Sequence, residues 1–491
     1  MKFIVKLHPE ITIKSKSVRQ RMGKVLQGNI RNVIKPLDEH AKIRVEWDKI
    51  IVRTQYFTEE HRTAMIAALA GIPGIQWFLE VIEHEVSSLD DILEHAQALF
   101  GEQLAGKTFC VRAKRRGQQS FSSMDVERYV GGGLNQRCNT AGVKLSNPEV
   151  QVNLELDGQQ LYLVRAQHAG MGGYPISTQE SVLSLMSGGY DSGVSSYQFI
   201  KRGSRVHYCF FNLGGAEHEA GVREVTHYLW KKYGSSHRVK FISVPFEGVV
   251  NEILEKVDPG HMGVILKRMM MRAGAAVAEK MAVNALVTGE SMGQVSSQTV
   301  TNLNVIDRVT DMLILRPLIA SDKQDIIDQA RAIGTAAFAE KMPEYCGVIS
   351  KSPTIKAKLG RVEQEETEFD FAVLDAAVQA ANVEDIRQLE EKWQLPEVEY
   401  SHSSEQTTEI ILDIRAPEEE EAAPLKVAGT PVQVLPFFKL STQFTALDPS
   451  KTYLLYCDRG VMSRLQAIHL KEQGFDNVKV YLPQGEPIGT R

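Results

Sequence analysis

The 491-residue chain is too long for one hydrophobic core and is read as three or four domains. Its 43% hydrophobic and 24% charged residues are those of packed globular domains, and no window reaches the ~18 uninterrupted apolar residues of a membrane span. Met1 leads straight into KFIVKL without an apolar h-region or a cleavage site, so a cytoplasmic protein with no membrane partner is expected. The five cysteines (110, 138, 209, 346 and 457) form no CxxC pair and no zinc-like cluster, so no structural metal is expected, and a disulfide in a reducing compartment would be a transient catalytic one.

The net charge of -5 hides a segregation. Residues 1–35 carry nine Lys or Arg against Glu10 (+8), residues 107–144 carry eight bases and two acids (+6), and residues 361–421 carry four bases and nineteen acids (-15). Solvated helix faces would account for each basic segment alone. Together they suit a chain that binds nucleic acid at its N-terminal end.

In chain order, KFIVKL predicts a strand, the segment through Lys35 a basic amphipathic helix, and IRVEWDKIIVRT at 43–54 a strand or hairpin turning at Asp48-Lys49. A helix over 60–70 is broken by GIPGI at 71–75, and SSLDDILEHAQALF restarts one behind a Ser or Asp cap. TFCVRAKRRG reads as a strand running into a basic turn, Ser122 or Ser123 caps a helix to about Gln136, and VNLELDGQQLYLVR is a hairpin about Asp157-Gly158. The Gly-rich QHAGMGGYPIST at 167–178 is a boundary.

Beyond it, strands alternate with helices. SVLSLM precedes a helix from about Gly193, RVHYCFFN a helix over 217–233, RVKFISVPF helices over 249–257 and 262–281, and NALVTGE and LILRPL add strands. This pattern predicts a parallel doubly wound sheet. The acidic 361–404 region reads as helices and linker, and EIILDIRAPEEE, VQVLPFF, TYLLYCDRGVMSR and NVKVYL make a second, shorter α/β alternation.

The stretch SLMSGGYDSG at 184–193 places two glycines and two serines between a strand and a helix, where main-chain N–H groups form an anion site. Both GxxxxGK[ST] and GxGxxG are absent. Ser187–Ser192 match SGGxDS, the signature of the PP-loop ATP pyrophosphatases, with Tyr190 at the variable position. Asp191 can orient Mg or shape the turn, and the resemblance implies that Ser187, Gly188, Gly189, Asp191 and Ser192 hold ATP with Mg and that the reaction is an adenylation. It further implies adenine contacts from the main chain of Leu185 and Met186, and added donors at Lys267, Gly289, Gln298 and Lys323.

In YCDRGVMSR, Cys457 opens a loop before a helix, with Gly460 in the turn and Arg464 at its base, surroundings that favour thiolate. A cysteine phosphatase requires C-x5-R, and here the sixth residue after Cys457 is Ser463. The segment instead resembles the rhodanese loop, with LDIRAPEE upstream, which implies Cys457 as a persulfide carrier. Residues 109–132 resemble a THUMP domain, which implies RNA contacts from Lys114, Arg115 and Arg116, and the basic strip before them fits its ferredoxin-like companion.

The whole chain thus resembles the tRNA 4-thiouridine sulfurtransferases, the thiamine biosynthesis sulfurtransferase family with a rhodanese tail. The expected fold is multidomain α/β: ferredoxin-like α+β (1–60), THUMP (61–167), PP-loop ATP pyrophosphatase (176–395) and rhodanese (404–485). The resemblance implies tRNA as substrate, a cysteine desulfurase as sulfur donor, a resolving Cys346 that forms a disulfide with Cys457, and a second acceptor in a sulfur-carrier protein of thiamine thiazole synthesis. Cys110 and Cys209, in apolar strands, are expected in the core. A homodimer is favoured, since one chain's RNA domains could then reach the other's active site. The alternatives are another PP-loop adenylating ligase or amidotransferase, and a tRNA-binding module with a stand-alone rhodanese activity.

Overall fold

The computed structural model describes residues 1–47, 49–117, 121–213, 216–342, 352–390, 398–402, 409–415, 417–427, 429–458 and 461–483. Two compact units result: residues 1–179 with 200–204 and 232–237, and the remainder.

The first unit is built on one eight-stranded sheet. Its strands are β1 (Lys2–Leu7), β2 (Lys42–Val45), β3 (Lys49–Arg53), β4 (Ile75–Glu85), β5 (Thr108–Arg116), β6 (Gly142–Val143), β7 (Val150–Asp157) and β8 (Gln160–Ala169), in the order β2-β3-β1-β4-β8-β7-β5-β6. With the helices Lys16–Ile34 and Glu59–Ala70, the first four strands make a βαββαβ unit of ferredoxin-like order, antiparallel throughout. The helix Lys16–Ile34 buries Met22, Leu26, Ile30 and Ile34, one every fourth residue, and so presents a single apolar stripe to the sheet.

The strand β4 was not expected from the sequence. It lies mid-sheet with Phe78 packed on one face and Leu79 and Val81 in the cluster on the other, so its sequence IQWFLEVI shows no alternation. The hairpin β7–β8 is present as predicted, but Asp157 ends β7 and pairs with Gln160, so it turns at Gly158-Gln159, one residue on. The helices Leu89–Phe100 and Ser123–Arg137 both start in capping boxes, Ser88 with Asp91 and Ser122 with Asp125.

The second unit holds two sheets. One contains β9 (Val182–Met186), β10 (Val206–Asn212), β11 (Lys240–Pro245), β12 (Ala285–Val287), β13 (Leu313–Leu315) and β14 (Asn382–Asp385), ordered β13-β12-β9-β10-β11-β14. Five of these strands are parallel, while β14 runs antiparallel to β11 at the edge, where helix and linker were expected. The chain winds from β9 towards β11 and then returns to add β12 and β13 on the other side. The carboxyl end of β9 is therefore the topological switch point, where ligands of such sheets bind.

The other sheet, β15 (Tyr400–Ser401), β16 (Glu409–Asp413), β17 (Val432–Val434), β18 (Thr452–Tyr456) and β19 (Val478–Tyr481), is parallel in the order β15-β19-β18-β16-β17. Cys457 follows its middle strand. As expected, Cys110 and Cys209 are core residues, and burial pushes the Cys209 thiol up to about 12.

Candidate nucleotide cleft and sulfur loop

The turn after β9 is held in place by residues far away in sequence. Gly188 takes a φ of +84°, open to glycine at little cost, and a side chain there would strike Met342. Buried Ser192 lies within 3.4 Å of the Ser187 amide and donates to the Gly189 carbonyl at 3.3 Å, tying the turn onto itself. The helix begins at Tyr190, not near Gly193, because Asp191 and Ser192 already form its first turn. The signature is thus a helix N-terminus, where unpaired N–H groups face an incoming anion.

Three other segments brace this turn. The strand β12 ends at Val287, and at Gly289 an added Cβ would lie 2.6 Å from the Asp191 carbonyl carbon and 2.8 Å from the Ser192 nitrogen. Only glycine permits that approach. Lys323, at the start of the helix Lys323–Ile333, bonds the Asp191 carboxylate at 3.0 and 3.2 Å, and Gln294 donates to it at 3.1 Å. The His218 Nε2 lies 2.8 Å from the Ser187 carbonyl, with the ring edge-on to Phe210. Burial keeps the His218 pKa below its ordinary value although the Ser187 bond acts the other way, so the imidazole is neutral and donates through Nε2.

These elements surround one cleft. Of the residues expected at an ATP site, Leu185, Met186, Ser187, Asp191, Ser192, Lys267, Gly289 and Gln298 all line it. Gly188 and Gly189 form the turn itself, and Lys323 reaches the site through Asp191. His218, Glu290, Arg316 and Gln294 escaped the sequence reading. A charged Glu290 directly beyond an apolar strand was the available signal for one of them.

The Cys457 loop has a local support. Cys457 is buried, and the Ser463 amide, in the first turn of the helix Val461–Glu472, points at its sulfur from 3.3 Å with the Ser463 hydroxyl at 3.4 Å. A main-chain N–H at a helix N-terminus thus points at the sulfur. Arg415, buried beneath the loop, pairs with Asp413 at 2.6 Å and with Asp458, the residue after the cysteine, at 3.0 Å. Arg464 lies in the first turn of the same helix. Gly460 and Cys346 lie outside the described residues.

In the first unit, Lys114, Arg115 and Arg116 lie at the end of β5 and line a 540 Å³ cleft with Lys6, Lys49 and Tyr162; Glu155 and Asp157 share its wall.

Comparison with known proteins agrees with this architecture. Residues 2–78 match a ThiI ferredoxin-like domain, 86–164 a THUMP domain, 177–371 the family described as thiamine biosynthesis protein (ThiI), and 398–482 a rhodanese-like domain. A tRNA sulfurtransferase of Tolumonas auensis is 63% identical over 98% of this chain and 99% of its own, and one of Aeromonas hydrophila is 62% identical over 98% and 100%. A solved structure described as a 4-thiouridine synthetase in complex with RNA and ATP shares 24% identity and the fold, with a TM-score of 0.69 over 78% of this chain and 99% of that one. With four matching domains in order and such identity along nearly its full length, the chain belongs to the tRNA sulfurtransferase family.

Proposed function

We propose that this protein thiolates a uridine of tRNA to 4-thiouridine, with ATP activating the oxygen that leaves. The observation that carries the reading is the convergence of the Ser187–Ser192 turn, Lys267, Gly289 and Gln298 on one cleft at the switch point, in a chain that also holds Cys457 under a helix N-terminus. The uridine O4 attacks the α-phosphorus, pyrophosphate leaves, the N3 proton is lost and an adenylated base results. Mg fits Asp191 together with phosphate oxygens, since Asp191 is partly exposed beside the turn, whereas Glu290 is buried and engaged by Arg316 and Thr288.

Sulfur arrives as the Cys457 persulfide, loaded by a cysteine desulfurase. The Cys346 thiolate attacks the Cys457 sulfur, the persulfide S–S bond breaks, and the released hydrosulfide adds to C4 and expels AMP. The Cys346–Cys457 disulfide is then reduced by an external thiol. Lys114, Arg115 and Arg116 contact RNA phosphates, so affinity falls with salt. The same adenylation and thiolation serve the C-terminal carboxylate of a sulfur-carrier protein in thiamine thiazole synthesis. The setting is cytoplasmic, and the assembly a homodimer.

Unmodified tRNA incubated with the protein, ATP, cysteine and a desulfurase should gain the near-ultraviolet absorbance of thiouridine. Cys457→Ala and Asp191→Ala should each abolish it, the first leaving tRNA-dependent pyrophosphate release intact and the second removing it. Thiouridine formed at the parental rate by Cys457→Ala would refute the persulfide role.

A further inference from the structure

Three cations approach the nucleotide cleft, and the structure commits two of them elsewhere. Lys323 bonds Asp191. Arg316 is clamped between Glu290, at 2.7 Å, and both oxygens of Asp307. Among the described residues the Lys267 side chain has no hydrogen-bond partner, and its ammonium stands 3.7 Å from Glu290 Oε1, outside hydrogen-bond range.

The surroundings of Lys267 are otherwise fixed. The next residue on the helix Met262–Lys280, the fully buried Arg268, pairs with Glu366 at 2.6 and 2.8 Å and donates to the Val305 carbonyl. The Arg268 contacts anchor the helix next to residue 267, and the direction of the lysine side chain remains to be set. Glu290 is itself held: Thr288 and Arg316 bond its Oε2, its side chain is 3% exposed, and its Oε1 is buried at the cleft wall with no hydrogen-bond partner among the described residues. Burial alone would raise its pKa, but the charges of Lys267 and Arg316 and the bonds from Arg316 and Thr288 outweigh it and keep the carboxylate ionised.

We infer that Glu290 is a positioning residue that aims Lys267 at the phosphate chain. It holds the ammonium by charge alone and so leaves all three N–H donors free for the ligand. This rests on the reading of the cleft as the ATP site. Apart from its bonds to Arg316 and Thr288, a carboxylate at the wall of an anion site would otherwise repel ATP, so the two roles differ in sign.

Titration calorimetry of the full-length protein with ATP and Mg tests that sign. If Glu290 acts through Lys267, Glu290→Gln weakens ATP binding about tenfold, the size of one charge-assisted contact. In a Lys267→Met background nothing is left to aim and only the repulsion remains, so the same substitution strengthens ATP binding. Thermal unfolding of each variant checks the fold. Should Glu290→Gln fail to fold, Glu290→Asp keeps the negative charge while withdrawing it about 1.5 Å from Lys267. It should weaken binding in the parent and have no weakening effect on Lys267→Met. A parent protein that binds no ATP refutes the reading of the cleft. A parent that binds ATP, with Glu290→Gln binding equally or more tightly, or with equal weakening in both backgrounds, refutes the role of Glu290 alone.

Discussion

The turn Ser187–Gly189 follows β9 inside its sheet as Cys457 follows β18 in the middle of the five-stranded sheet, and each leads into a helix whose first amides face the functional group. Their supports differ. The first turn is braced by His218, Gly289, Gln294 and Lys323, drawn from three later segments of the chain. The second rests on Ser463, six residues on, and on the Arg415 pair with Asp413 and Asp458. A triphosphate spans many ångströms and needs cations and close backbone from several strand ends, whereas one sulfur atom is served by one helix end. The nucleotide site should therefore fail when a remote residue is changed, and the sulfur site when its own foundation is.

The largest effect is expected beneath the sulfur loop. The Asp413 side chain is 0% exposed, and Arg415→Met leaves its charge buried and unpaired, a loss of about 3–5 kcal/mol. Urea unfolding of the full chain should show the five-stranded sheet lost at lower denaturant while ATP still binds the cleft. An unchanged midpoint would contradict the foundation assigned to Arg415.

Gly289→Ala makes the complementary break. Its Cβ meets backbone atoms of Asp191 and Ser192, which cannot swing aside, so the turn itself must shift. A displacement on the order of 1 Å costs about 100-fold in rate. Thiouridine formation should fall by that factor while persulfide loading of Cys457 from the desulfurase stays at the parental rate. A proportional loss of both would show that the two sites are not separately supported.

The same contrast explains what the sequence made legible. Both loops were readable because each concentrates its chemistry in ten residues between an apolar strand and a helix. The cations and glycine that complete the cleft carry no such local signal: Lys267 sits in a helix, Gly289 looks like a loop glycine, and only the family resemblance singled them out. His218 and Glu290 were missed because their roles are tertiary, one holding a carbonyl of a turn 31 residues earlier, the other facing a lysine on another element. The strands β4 and β14 were missed for opposite reasons. β4 is covered on both faces and loses its alternation, and β14 is a four-residue edge with two exposed residues inside an acidic stretch.

The mildest expected effect separates the two supports by pH. His218 is buried and neutral, with its folded pKa below the ordinary 6.5. Between that lowered value and 6.5 the unfolded chain binds a proton that the folded chain refuses, so stability rises with pH across the window. Its contribution is complete above 6.5 and declines as the pH falls below it. At still lower pH, protonation would place charge in a buried site beside Phe210 and strain the turn. Arg415, whose pKa is raised by its bonds to Asp413, stays charged throughout, so the sulfur loop lacks this sensitivity. His218→Gln keeps a side-chain N–H for the Ser187 carbonyl but cannot titrate. The urea midpoint of the parent should drop between roughly pH 7 and roughly pH 5.5 more steeply than that of the variant, and parallel curves would remove His218 as the pH-sensitive brace of the turn.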